Sequence, residues 1–400
     1  MNSQQLIQYE DRYSANNYHP LDVVLTKGEG VWVYDIEGNR YLDCLSAYSA
    51  MSHGHIHPRI LKAAQDQLTR LTLTSRAFRN DQFPQLVKEL SELTGYQMSL
   101  FMNSGAEAVE TALKIARKWA YVVKGIRRHQ AEIIVAEGNF HGRTITTVSC
   151  STVHQYRDDF GPFTPGFIVV PFGDAQAIRQ AITPNTAAVL LEPIQGEAGI
   201  RIPPLGYIRE VSGICTASNV LFIADEIQTG LGRTGKFFAC EHEDIYPDMI
   251  ILGKALGGGF YPVSCVIADN PIMGIIQPGD HGSTFGGNPL AAAIARESLK
   301  VLTEEGLIEN SASLGEYLLD QLKQIKSPHI KEIRGRGLFI GIELKPEARG
   351  ARRFCEALMR EGILAKETHY HVIRLAPPLI IDRETIDWML PKVHKVLTMA

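Results

Sequence analysis

The feature that most constrains this chain is a series of short, unbroken apolar runs: Glu132–Ala136, Phe167–Val170, Ala187–Leu191, Val220–Ala224 and Met249–Leu252. A strand with one wet face alternates polar and apolar side chains. Runs apolar at consecutive positions predict strands buried on both faces. Helical periods lie between them, as in Ala106–Val122, where Val109, Leu113, Ala116 and Trp119 share one face. Strand and helix in alternation predict an α/β fold with a mainly parallel, doubly covered sheet. Ligands of such a sheet bind outside the carboxyl ends of its strands.

The C-terminal part reads differently. Gly337–Leu344 and Val372–Leu375 are predicted strands set among charged helices. This shift predicts a smaller α+β domain over residues 305–400, beside a large domain over 51–304. Gly30–Leu45 predicts a hairpin turning at Glu37, Gly38 and Asn39. Residues 1–50 are too few for a domain and are expected to join the small one.

Composition excludes several function classes. A net charge of -4 with 21% charged residues leaves no electrostatic footprint for nucleic acid. No stretch approaches the roughly 20 apolar residues that span a bilayer. The first 21 residues lack a signal-peptide pattern and carry Glu10 and Asp11, so a cytoplasmic location is expected. Six scattered cysteines, none in a C-x-x-C pair, read as reduced thiols rather than a disulfide frame or zinc site.

Three segments carry chemistry. In DMIILGKALGGGFYP, Lys254 follows an apolar strand and precedes three glycines. Burial there lowers a lysine pKa and makes the amine a nucleophile toward an aldehyde. The alternative is a strand-terminal lysine pointing to water. In VLFIADEIQTG, Asp225 ends another strand. A buried carboxylate needs a cationic partner, and a pyridinium nitrogen is one. A helix N-cap or a metal ligand fits Asp225 as well. In MNSGAEAVETALKIARKWA, Ser104 and Glu107 form a capping box. Gly105 and Ala106 then leave backbone amides open as a phosphate seat. An ordinary capped surface helix is the alternative.

Two other patterns are set aside. Gly230–Gly235 fits G-x-G-x-x-G, but KFFACEHEDIYPD after it does not read as the helix that a dinucleotide site requires. His53, His55 and His57 suggest a metal cluster, yet no second ligand group accompanies them, and a turn before Pro58 explains them equally. No metal is expected.

Taken together, SGAEA, GNFHGRT, EPIQGEAG, ADEIQTGLGRTG, LGKALGGG and HGSTFGGNPL resemble the class III, pyridoxal-phosphate (PLP) dependent aminotransferases of fold type I, in order and nearly end to end. NYHPL at 17–21, LSAYSAMSHGH at 45–55, LTLTSRAF at 71–78 and RLAPPLII at 374–381 resemble the branch of that family that acts on ornithine. The resemblance implies that Lys254 anchors PLP and shuttles a proton, Asp225 pairs with the pyridinium, Gln228 meets the ring hydroxyl and Phe140 stacks on the ring. Gly105 and Ala106 are implied to hold the phosphate. Thr284, with Ser283, is implied to reach the phosphate of a neighbouring subunit, so the active sites of a homodimer are shared. Arg143 is implied to bind a substrate carboxylate, and Tyr18 and Tyr48 to hold ornithine. Glu197 and Arg374 are implied to pair when ornithine binds and to open for 2-oxoglutarate. His141 is read as packing or fine tuning rather than as a general base.

The implied reaction takes the δ-amino group of L-ornithine to 2-oxoglutarate by a ping-pong route, linking arginine metabolism to proline biosynthesis. Two alternatives stay open: an enzyme of the same class acting on N-acetylornithine or 4-aminobutyrate, and a non-catalytic binding protein on the same fold.

Overall fold

A computed structural model describes residues 1–399. Its largest sheet has seven strands in the order Met98–Met102, Ser264–Ala268, Met249–Leu252, Leu221–Asp225, Thr186–Leu191, Glu132–Ala136, Phe167–Val170. The last five pair in parallel. Ser264–Ala268 runs antiparallel to both of its neighbours, so Met98–Met102 points the same way as the parallel set. The sheet is therefore mixed but mainly parallel.

Four of the five unbroken apolar runs have the expected cause; the fifth, Phe167–Val170, is the sheet's edge strand and leaves Val169 exposed. Successive residues enter opposite layers: Ile134, Val189, Phe222 and Ile250 join one core, while Ile133, Ala188, Ile223 and Ile251 join the other. The second core is closed by the helix Gly105–Trp119, through Val109, Leu113, Ala116 and Trp119. That helix ends three residues before the predicted Val122. Its register widens into a π turn over Ala120–Lys124, stopped by Gly125 at φ 82°, which leaves Val122 exposed.

The predicted hairpin forms between Trp32–Asp35 and Arg40–Asp43. Asp35 accepts hydrogen bonds from the amides of Glu37 (3.1 Å) and Asn39 (2.8 Å), closing the turn. Arg40–Asp43 then pairs in parallel with Ile363–Leu364, from the far end of the chain. A third sheet joins Ile330–Gly335, Ile340–Leu344, Val372–Leu375 and Lys366–Thr368. Its strand starts at Ile340 rather than Gly337, because Gly337 (φ 58°) lies against the backbone of Thr234, 2.5 Å from where a Cβ would sit. No helix of the described residues is long and apolar enough to cross a membrane. All six cysteines are free and buried.

Candidate active site

Because six strands of the large sheet run one way, their carboxyl ends open on one side, and the chain leaves five of them carrying functional groups. Gly105 and Ala106 follow Met98–Met102. Phe140 and His141 follow Glu132–Ala136, Glu192 follows Thr186–Leu191, Asp225 ends Leu221–Asp225, and Lys254 follows Met249–Leu252. These residues, with Gly142, Glu197, Ile227 and Gln228, line one cavity of about 200 Å³.

The phosphate seat is built locally. Ser104 Oγ accepts from the Glu107 amide (3.2 Å), and Glu107 returns a carboxylate to the Ser104 amide (2.6 Å). The capping box settles the Glu107 and Ser104 donors, leaving the Gly105 and Ala106 amides at the helix N-terminus, on the cavity wall.

Lys254 sits in the left-handed region (φ 44°), at the start of a short 3₁₀ turn, and faces both the cavity and an adjoining hollow bordered by Gly259 and Tyr261. Burial pushes its ammonium below the ordinary lysine range; Glu197 and Asp225 pull the other way, and Arg374 adds to the fall. Asp225 is buried, with both oxygens engaged. Oδ1 accepts from the Ile227 amide (3.1 Å) and Oδ2 lies 2.7 Å from His141 Nδ1. Gln228 donates at 3.4 Å to the Tyr48 carbonyl and to Glu197, while its buried Oε1 has no partner among the described residues.

Arg374 is 1% exposed. Its Nη1 donates to Glu197 Oε1 at 3.0 Å, Nη2 to the Gly196 carbonyl at 3.1 Å, and its guanidinium lies 5.3 Å from the Tyr48 ring centre. Burial raises the Glu197 carboxyl, but Arg374, Lys254 and Gln228 together outweigh it and hold the group below its ordinary value. Tyr48 belongs to a feature that no glycine announces. Ser46, Ala47, Tyr48 and Ser49 are all left-handed, with φ from 45° to 79°. Such backbone costs about 1–2 kcal/mol per residue. Asp43 Oδ1 holds the turn by accepting from the amides of Leu45 (2.9 Å) and Ser46 (2.8 Å).

Tyr18 is 74% exposed. It shares with Tyr48 a second hollow of about 550 Å³, floored by Val33, Leu45 and Met51. Arg143 is exposed, its guanidinium 3.7 Å from the Tyr156 ring centre and 5.6 Å from that of Phe140, which turns its edge to Tyr156. Ser283 accepts from Asn103 Nδ2 (3.0 Å). Neither Ser283 nor the exposed Thr284 lines the cavity of its own chain.

One site residue, Glu192, escapes the sequence reading. His141, read there as packing or fine tuning, contacts Asp225 directly. Glu192 lines the cavity, and its carboxylate accepts from the amides of Phe140 (2.9 Å) and Gly196 (3.4 Å). The available signal for Glu192 was the one used for Asp225, a carboxylate at the end of an apolar strand. Burial pushes Glu192 up to about 7; His141 pulls against the rise and Asp225 adds to it. A carboxyl raised in the fold contributes stability that is full below its unfolded value and lost as pH climbs through the folded one. Glu192→Gln cannot ionise. Its Tm relative to wild type is therefore expected to rise by about 2–4 °C between about pH 5 and about pH 8. A flat difference across that range would show that Glu192 does not titrate there.

His53, His55 and His57 turn to separate partners: the Ser298 carbonyl, Asp43 and Glu305. Gly230–Gly235 leads into turns and a short 3₁₀ segment, Ala239–Glu243, with no dinucleotide-type helix.

A lysine, a buried carboxylate and a helix N-terminus converging at strand ends define a class, and the aminotransferase class-III family profile matches residues 13–397. The chain belongs to that family, whose members are PLP-dependent transaminases. It is 58% identical over 392 residues to an ornithine aminotransferase of Geobacillus sp. (strain WCH70), covering 98% of each chain. Its fold matches a solved ornithine aminotransferase of Toxoplasma gondii, described with partial PLP occupancy, at a TM-score of 0.98 with 44% identity, over 99% of this chain and 94% of that one. An acetylornithine aminotransferase from Elizabethkingia anophelis matches at a TM-score of 0.91 with 46% identity, over 99% of each chain.

The residues present fit PLP. The cavity offers free amides for a phosphate, an amine for an aldehyde and a carboxylate for a ring nitrogen. The unpartnered Gln228 Oε1 is an acceptor for a ring hydroxyl.

Proposed function

We propose that this chain transfers the δ-amino group of L-ornithine to 2-oxoglutarate. The products are glutamate and glutamate-5-semialdehyde, which cyclises to pyrroline-5-carboxylate. The observation that carries this reading is the pair of the half-buried Glu197 with the buried Arg374, beside Tyr48. A free Arg374 would draw the ornithine carboxylate inward and present the α-amino group. Neutralised by Glu197, it leaves the carboxylate to be taken elsewhere, so the δ end enters. The names of the similar proteins support the same substrate.

PLP, when bound, supplies an aldehyde for the amino group and a ring that takes up electrons as a C–H bond breaks. The chain's own residues do the rest. Gly105 and Ala106 hold the phosphate through their amides, and Phe140 covers the ring. Asp225 keeps a positive charge on the ring nitrogen, and Gln228 accepts from the ring hydroxyl. Lys254, biased toward its neutral amine by burial, anchors the cofactor and moves a proton at Nζ. Arg143 takes the ornithine carboxylate bidentately, and Tyr18 and Tyr48 flank the chain of methylenes. For 2-oxoglutarate, Glu197 swings away and Arg374 binds the carboxylate.

The same proposal includes a homodimer in which Thr284 and Ser283 reach the partner's phosphate, and a division into residues 51–304 and 305–400, with 1–50 attached to the latter. The free, buried cysteines suit a cytoplasmic setting. A steady-state screen of amino donors tests the substrate. Ornithine is expected to exceed N-acetylornithine and 4-aminobutyrate in kcat/KM by about 100-fold or more, on the scale of one mispaired polar group. Faster turnover of N-acetylornithine defeats the assignment.

A further inference from the structure

The segment Phe140–Gly142 is tied down at three consecutive residues. The Phe140 amide donates to Glu192 at 2.9 Å. His141 Nδ1 meets Asp225 Oδ2 at 2.7 Å, with both side chains buried. Gly142 (φ 125°) lies so close to Ala106 that a Cβ on it would sit 2.9 Å from that residue's Cβ. One short strap thus touches the carboxylate assigned to the ring nitrogen, the helix start assigned to the phosphate, and Glu192.

A carboxylate cannot donate, so the proton in the His141–Asp225 contact sits on Nδ1. Nε2 is buried without a partner among the described residues. With Oδ1 taken by the Ile227 amide, His141 completes the clamp, and the plane of the Asp225 carboxylate has no freedom left. Asp225 and Glu192 are the titratable groups acting on His141, Lys254 and Glu197 are the other titratable groups of the cavity wall, and Arg374 stands behind Glu197.

We propose that His141 is a positioning residue: its Nδ1–H orients the Asp225 carboxylate, so that Asp225 pairs with the ring nitrogen of PLP in one fixed direction. The proposal rests on Asp225 being the nitrogen's partner. His141 does not touch substrate and transfers no proton to it.

The test uses cofactor-loaded enzyme and three variants. His141→Phe keeps the bulk and removes the donor. His141→Asn keeps an N–H donor near the Nδ1 position. Asp225→Asn removes the carboxylate. The readouts are the dissociation constant for PLP on reconstitution and the pH midpoint of the bound cofactor's visible band. Losing a hydrogen bond to a charged group predicts that His141→Phe weakens PLP about 10- to 100-fold and moves the midpoint, while His141→Asn recovers most of both. The inference is overturned if His141→Phe binds PLP within about twofold of wild type with its midpoint unmoved, or if His141→Asn is as impaired as His141→Phe. If Asp225→Asn leaves both readouts unchanged, the nitrogen reading itself fails, which is a separable result. Should His141→Phe not fold, His141→Gln replaces it. Its longer side chain displaces the donor, so equal behaviour of Gln and Asn again overturns the proposal.

Discussion

Lys254→Ala is expected to lower transamination by at least about 10⁴-fold and to abolish the visible band of lysine-linked cofactor. Two losses combine. The covalent anchor disappears, and with it the group that moves the proton, a function worth up to about 10⁴-fold alone. The structure says why no neighbour takes over. Lys254 is the only lysine among the described residues lining the cavity, so no second amine stands within it to form the link. Single-turnover measurements with added PLP check this, because they separate the chemical step from weak cofactor retention. A variant that keeps its band, or turns over within about tenfold of wild type, would remove Lys254 from the role.

The second large effect is a split between half-reactions. Stripping one partner from a buried ion pair leaves the other charge uncompensated, at a cost of about 3–5 kcal/mol. Glu197→Ala is therefore expected to slow the ornithine half-reaction by about 100-fold or more and to raise the share of α-amino transfer. The glutamate half-reaction should change by less than about tenfold, since there Arg374 has a substrate carboxylate instead. Arg374→Ala should show the reverse pattern, with the glutamate side losing most. Stopped-flow spectra of each half-reaction, with product analysis, decide the matter. Equal losses on both sides in either variant would mean that the pair is only a structural brace.

Much of the architecture was legible in the chain. An apolar run without alternation has one cheap destination, a strand covered on both faces, and the main-sheet runs named from sequence became strands. Ser104 and Glu107 are three residues apart, so their capping box is a local fact. Lys254 and Asp225 were legible for the same reason: each lies at or just after a strand end. The strand Ser264–Ala268 was not named, although SCVIA is a buried run of the same kind, and nothing local records that it runs antiparallel to its neighbours.

What the sequence determined by itself is thus short-range: which segments are strands and helices, where they are capped, and which reactive groups sit at their ends. Only the tertiary structure decided the meetings. Glu197 and Arg374 are 177 residues apart, and His141 and Asp225 are 84 apart. No periodicity or propensity spans such distances; His141 reaches Asp225 because parallel strands must be joined by crossovers that bring their carboxyl ends to one side, and Arg374 reaches Glu197 because the third sheet packs on the loop after Thr186–Leu191. The left-handed turn at Ser46–Ser49 runs against local backbone preference, and Asp43 caps its start through the Leu45 and Ser46 amides. The sheet's common strand direction turns scattered carboxylates, a lysine and a histidine into one site, and burial there sets their charges.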